Sequence, residues 1–410
     1  MIRDRNVSLP LSVRNVMASQ IEYETTHREP GDPRTYHDDL VERLLPRVLA
    51  PLLRRDQRQK AERYILALLA APGRKTLRNL AQQMGGGTAQ QSVHHFISSS
   101  SWRWSPVRRC HTQLVEWLIQ PQVWVVKSIV IPKVGRHSVG VEQQLSESGQ
   151  AVNAQRAYGA WLASDRAAVP CNWQLVLPRS WLDDPGRRSR AHIPRQSQPV
   201  TLEEWAASTI APAAGRWGQR RRPVVVDAEG LDVTAAVGHF DRGAGGPVLL
   251  RVQPETRVRV DGGALRSFDE RVTEVGHLVG RLRQFRRPLH WRAAGGVPRA
   301  AVAAAIPVLL PEAAGRRMLL LAEWAPQLPG GQRLWLATSR SVSLADLPRL
   351  TAPADRVERD FAEVSDRVGV RDFAGRSFPG WHRHITLASV AHLAAVLGDS
   401  TRGLGCSGER

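Results

Sequence analysis

The sequence predicts an α/β protein. Three observations carry that reading. Apolar runs of strand type end in charged or glycine-containing turns at Trp124–Val141 and Pro223–Gly230. Stripes of apolar residues at helical spacing precede and follow them, at Leu40–Leu52 and Ala354–Val368. Shorter strand-type runs fill the interval between. With 410 residues the chain has length for two or three domains. Its formal charge of +19 favours a polyanionic partner.

Residues 1–36 are polar, with Pro30, Gly31 and Pro33 near the end, and read as a flexible arm. A helical region, 37–120, follows. Leu40, Leu44, Leu45, Val48, Leu49 and Leu52 form one stripe, and Tyr64, Ile65, Leu68 and Leu69 belong to a second helix closed by Pro72-Gly73. Within Arg74–Ser100, Leu77, Leu80 and Ala81 define a short helix, Gly85–Gly87 a turn and Ser92–Ile97 another helix. That pattern predicts a helix-turn-helix in which Arg74, Lys75, Arg78, His94 and His95 meet phosphates; a plain helical hairpin fits the same residues.

The stretch 121–253 carries the chemistry. WVVKSIVIPKVGRHSVGV is expected as a strand broken at Lys127-Ser128, resuming at Ile129–Ile131 and entering a basic turn. Ala157–Leu162 and Trp173–Leu177 add two strands, giving a meander, and a helix is expected over Leu202–Ala214. Val224-Val225-Val226-Asp227 is a buried strand that delivers a carboxylate to a turn, a common place for a catalytic group in an α/β sheet. Residues 254–345 hold strand-type runs at Arg257–Val260, Met318–Trp324 and Arg333–Thr338. In 346–398, Val357, Phe361, Val364 and Val368 share a helical face, and Ile385–Leu397 is an apolar helix; 399–410 is a tail.

The turn Pro132-Lys133-x-Gly135-x-His137-Ser138-Val139-Gly140-Val141 resembles that of DDE-type insertion-sequence transposases. Leu177-Pro178-x-Ser180-Trp181, Asp227, Arg356-Val357-Glu358-x-x-Phe361 and the run Val370–His384 extend the resemblance over roughly 330 residues. It implies an RNase H-like mixed sheet flanked by helices, with a helical N-terminal DNA-binding domain and a β-rich insertion at 254–345. It places the second and third acids at Asp227 and Glu358, which would hold Mg²⁺ or Mn²⁺. The first acid is replaced, because Lys127 and Ser128 stand where the family has Asp-Asp. An ammonium has no lone pair to give a metal. The family's Lys after the Leu-Pro-x-Ser-Trp motif is also absent near Thr201.

The resemblance therefore implies a DNA-binding homologue without catalysis, recruited as a regulator. One alternative is a working transposase that takes its first acid from elsewhere, such as Glu142 or Asp165; another is a decayed remnant without function, against which the hydrophobic periodicity kept along the chain argues. Lys127 is expected either to replace a metal and pair with Asp227 and Glu358, or to turn away toward solvent while Ser128 packs. Expected DNA contacts are Arg74, Lys75, Arg78, Lys133, Arg136, His137, Arg376, Trp381, His382, Arg383 and His384, on double-stranded DNA and as a homodimer. Three widely spaced cysteines and no apolar run long enough to span a membrane suggest a cytoplasmic, nucleoid-associated protein.

Overall fold

The computed structural model describes residues 33–86, 89–145, 150–215, 217–227, 230–262, 271–293, 296–326, 328–338 and 342–405. Most of the expected arm, 1–32, lies outside them, and helix α1 (Pro33–Leu49) already starts at Pro33. Of the stripe read from sequence, Leu44, Leu45, Val48 and Leu49 lie on its buried face, joined by Val41, and Leu52 beyond the helix is buried as well, while the burial of Leu40 lies outside what is described. α2 (Arg55–Ala70) follows. The hairpin is formed by α3 (Leu77–Gln83), capped by the Thr76 side chain on Asn79 N–H, and α4 (Ala89–His94), which continues as a π-turn at His95–Ser99. α5 (Trp104–Ile119) leads into the sheet.

The sheet has twelve strands: β1 (Val123–Pro132), β2 (Glu142–Leu145), β3 (Ala151–Ala163), β4 (Ala168–Leu175), β5 (Val224–Asp227), β6 (Val248–Arg251), β7 (Arg257–Val260), β8 (Val272–Glu274), β9 (Arg287–Arg292), β10 (Pro298–Leu310), β11 (Arg316–Trp324) and β12 (Gln332–Ala337). β3 pairs antiparallel with β1 and β4, while β5 pairs parallel with β1 and β6 parallel with β5. The order β4-β3-β1-β5-β6, with that change of direction, is the RNase H-like arrangement. β12 pairs antiparallel with β6 and carries the sheet on through β11, β10 and β7 to β8, while β9 pairs β10. Six strands therefore lie in 254–345, where sequence periodicity indicated three.

Two boundaries differ for local reasons. β1 does not break at Lys127-Ser128. Both residues stay in register, opposite Gly159 and Tyr158 of β3, because ladder hydrogen bonds come from the backbone and tolerate polar side chains at a strand's half-exposed positions. The helix expected over 202–214 divides into α8 (Leu202–Ser208) and α9 (Ala211–Ala214). Pro212, at the first turn of α9, lacks the N–H needed to continue an α-helical ladder.

Short helices α6 (Arg179–Leu182) and α7 (Pro185–Arg190) follow β4, α10 (Val233–Ala244) follows β5, and α11 (Val275–Gly280) follows β8. α12 (Leu347–Asp360) begins seven residues before Ala354, passes into a π-turn at Phe361–Ser365, and packs on β1, β3, β4 and β5. The last helix, α13 (Phe378–Gly405), is longer than Ile385–Leu397 at both ends. It packs against α1, α2, α5 and β4, and its residues 380–394 are buried on every side. Its polar residues there, His382, Arg383, His384, Thr386, Ser389 and His392, are buried with hydrogen-bond partners, as buried polar groups need. No helix among the described residues is long and apolar enough to cross a membrane.

Candidate functional site

The parallel pairing of β1 and β5 sets Lys127 directly opposite Asp227. The side chains do not pair with one another. Asp227 accepts from Arg251 at 2.9 Å, one strand further on. Lys127 Nζ donates to Glu358 of α12, and lies 5.8 Å from the centre of the Phe361 ring. The expectation that Lys127 would hold both acids is thus met on one side, with Arg251 taking the other. The alternative, in which Lys127 turns away to solvent, is not adopted.

The charges continue across the sheet. Arg251 is opposite Trp335 of β12; two residues before Trp335, Arg333 is opposite Glu323 of β11 and reaches down to Asp355, one turn before Glu358 on α12. Arg333 and Glu323 are both buried. Desolvation alone would lower the guanidinium's pKa, but Asp355, Glu323 and Asp227 outweigh it and raise the pKa. Burial raises that of Glu323, with Arg333 opposing. The site is a band of carboxylates, each beside a fixed cation. Sequence reasoning missed Arg251, Arg333, Glu323 and Asp355, although Arg251 ends an apolar strand in the same way as Asp227 does.

This donor set does not fit a divalent metal. Mg²⁺ and Mn²⁺ require several oxygen donors around one point. Here the two acids are held by an ammonium and a guanidinium, which offer only N–H groups. Among the described residues no cluster of three or more His, Cys, Asp or Glu is arranged for an ion. The substitutes for a first acid are also misplaced. Asp165 is in the β3–β4 turn, beside the start of β1, since Val123 pairs with Ala163. Glu142 pairs with Ala154, level with Pro132, five residues past Lys127 and roughly 17 Å along the strand.

The expected DNA contacts divide sharply. Arg74, Arg78, His94, His95, Arg136, His137 and Arg376 are exposed. Arg74 has one acid nearby, Asp372, at 3.6 Å. The segment 369–376 joins the hairpin to the basic turn. Asp372 accepts from Lys75 N–H, and Lys133 Nζ donates to Phe373 O at 2.7 Å. Gly369, at φ +75°, lies so close to the Lys75 side chain that a Cβ there would collide with it.

Lys75, Trp381, His382, Arg383 and His384 are buried and cannot meet DNA in this arrangement. Lys75 Nζ is spent on Ala71 O. His382 stacks on Trp104 and contacts the buried Arg108, and His384 bridges Tyr64 and Gly369 O, at 2.8 Å each. Arg383 donates to the carbonyls of Ile97, Ser98 and Trp102 at the end of the hairpin's second helix. Such terminal carbonyls need outside donors, so Arg383 anchors the hairpin. Lys133 is half-buried, and burial, with Arg74 nearby, lowers its pKa to about 8.

The RNase H-like sheet thus bears an acid at the end of β5 and another on the helix laid across β1 and β5. Residues 47–305 match the family described as DDE superfamily endonuclease. That is more than half of the chain, which belongs to this family. The match ends before Glu358. No curated protein matches. Among solved structures, the chain is similar to one described as "Cryo-EM structure of piggyBac transposase synaptic complex with hairpin DNA (SNHP)". The TM-score is 0.38 and the identity 10%, over 93% of this chain and 77% of that one.

Proposed function

We propose that this member of the DDE superfamily binds double-stranded DNA and no longer cuts it, and that it serves as a DNA-binding regulator. The reading follows the insertion-sequence branch indicated by the Pro132–Val141 turn, with Asp227 and Glu358 as the two remaining acids. The observation that carries it is Lys127, in register with Asp227 and bonded to Glu358. In this fold class two divalent ions would activate the attacking oxygen and stabilise the leaving one. A fixed ammonium repels such an ion: two unit charges about 4 Å apart interact by roughly 4 kcal/mol at an effective dielectric of 20, and a divalent ion doubles that. DNA binding is supported by the +19 charge and by the exposed cations of the hairpin, the basic turn and Arg376.

Calorimetric titration with Mn²⁺ tests the reading. The unmodified chain is expected to show no tight binding. Lys127→Asp with Ser128→Asp is expected to bind Mn²⁺, with Asp227 and Glu358 completing the donor set. Tight binding by the unmodified chain that Asp227→Ala abolishes would instead establish the metal-dependent transposase.

A further inference from the structure

A cavity of about 320 Å³ opens at the other end of the same strands. Trp124 forms part of its wall, three residues and roughly 10 Å along β1 from Lys127. Four arginines line it: Arg220, Arg221, Arg222 and Arg242. No carboxylate does among the described residues. Arg222 is held from outside by Glu116 at 2.8 Å and Pro121 O at 2.9 Å, which fixes its guanidinium. Arg221 lies over Gly245, where a Cβ would meet its side chain at 3.2 Å. Arg242 leans on His239 at 3.1 Å. Neither Arg220 nor Arg221 pairs with a carboxylate among the described residues.

Arg222 is already paired with Glu116, while Arg220, Arg221 and Arg242 are exposed and have no carboxylate partner among the described residues, so an anion entering the cavity would meet three open guanidiniums, whose forks match phosphate oxygens. Arg242 and Ala211 also line a second, shallower groove of about 580 Å³, which contains the half-buried Trp205, with Gln174, Gln198, His239 and one carboxylate, Glu204, which accepts from Thr201 N–H at 3.0 Å. An indole next to a cationic cavity is the combination that takes a base and its phosphate.

We infer that the cavity of Arg220, Arg221, Arg222 and Arg242 binds a phosphate ester, with Trp205 in the adjoining groove as the seat for its base. This site is separate from the acidic band and from the exposed cations that face duplex DNA, and it does not rest on the loss of catalysis.

Thermal unfolding of the full chain, in sodium phosphate and in sodium chloride of equal ionic strength, gives the first test; dAMP and a single-stranded oligothymidylate are the other probes. Phosphate and dAMP are expected to raise the unfolding midpoint of the unmodified chain, and Arg221→Gln with Arg242→Gln is expected to remove the shift. Arg222 is left in place because it holds Glu116. Oligothymidylate affinity is expected to fall about tenfold or more in the double variant. Trp205→Ala is expected to weaken dAMP and to leave phosphate unchanged. Oligothymidylate binding much tighter than dAMP identifies a nucleic-acid strand as the source of the phosphate, and equal affinities identify a free nucleotide. Arg136→Gln separates the two readings, since it is expected to lower duplex affinity and keep the phosphate response. The inference is overturned by an undiminished phosphate shift in the double variant, or by no response to any of the three probes.

Discussion

Two segments of this chain are made of the same residue types and have opposite fates. Lys133-Val134-Gly135-Arg136-His137 forms an exposed turn after β1, with Val134 at its tip 99% accessible. Trp381-His382-Arg383-His384, also basic and also matched to the transposase pattern, lies in the interior. The turn has no helical ladder and follows a strand that has run past its parallel partner. The second segment is the first part of α13, which is covered by α1, α2 and α5. Composition gives a charge its sign, and the element around it decides whether the charge faces a partner or closes the core.

The largest break in that comparison is expected at Arg108, which serves the buried segment. It bonds to Thr386, Asn172, Trp173 O and His382 without any carboxylate, and burial lowers its pKa to about 9. Arg108→Met leaves several buried acceptors unpaired, at roughly 1–3 kcal/mol each. Urea unfolding is expected to show a loss of about 3 kcal/mol or more. Next comes Arg383→Ala, which frees the carbonyls that end the hairpin; a loss of about 2 kcal/mol is expected, with faster hydrogen exchange over 89–102. If Arg383 instead met DNA, this variant would lose affinity while keeping its stability.

A smaller effect follows from pH. Burial lowers the pKa of His384 and His111 to about 4, that of His392 to about 3, and that of His382 well below the ordinary value. The unfolded chain takes up these protons from about pH 6.5 downward, and the folded chain resists until about pH 4 at His384 and His111 and to lower pH at His392. Their contribution to stability is therefore complete above about 6.5 and falls as pH drops toward 4, by up to about 1.4 kcal/mol per histidine per unit. Chemical denaturation at pH 7, 6 and 5 checks this; a stability that rises on acidification would contradict it. The smallest stability change is expected for Arg136→Ala, within about 0.5 kcal/mol. Its signature lies in duplex binding, where the slope of log K against log salt should become shallower by about 0.9.

The strands that carry Asp227 and Lys127 were legible because Val, Ile and Trp cluster there between turn residues. The helix face Val357, Phe361, Val364 and Val368 was legible from its spacing, and all four are buried. β10 was not legible. Its PRAAVAAAIPVLL is rich in alanine, which favours helix locally, yet it pairs with β11 along nine rungs. Small side chains suit a strand crowded by its neighbours, and that crowding is tertiary information. The partners of the two acids were hidden for a similar reason. Arg251 and Arg333 are distant in sequence from Asp227 and Glu358; the parallel β5–β6 pairing brings Arg251 to Asp227, and the β6–β12 pairing adds Arg333 to the same band.

That pairing also brings together the two ends of the intervening chain, which itself supplies Glu323 and Arg333 to the charged band. Arg251 is the direct partner of Trp335, and Val252 N–H donates to Leu334 O at 3.0 Å. The strands between them extend the same sheet, but the chain departs from β6 and returns to β12 at one point, so the ends of everything between are separated by a single inter-strand step of about 4.8 Å. A tight turn would span that gap. Shortened in this way, β6 and β12 would become a plain hairpin that retains Arg251 on Asp227 and leaves β12 as the new border of the sheet. Asp227 and the Arg251 that holds it both precede this stretch, so its length can change without altering their contact.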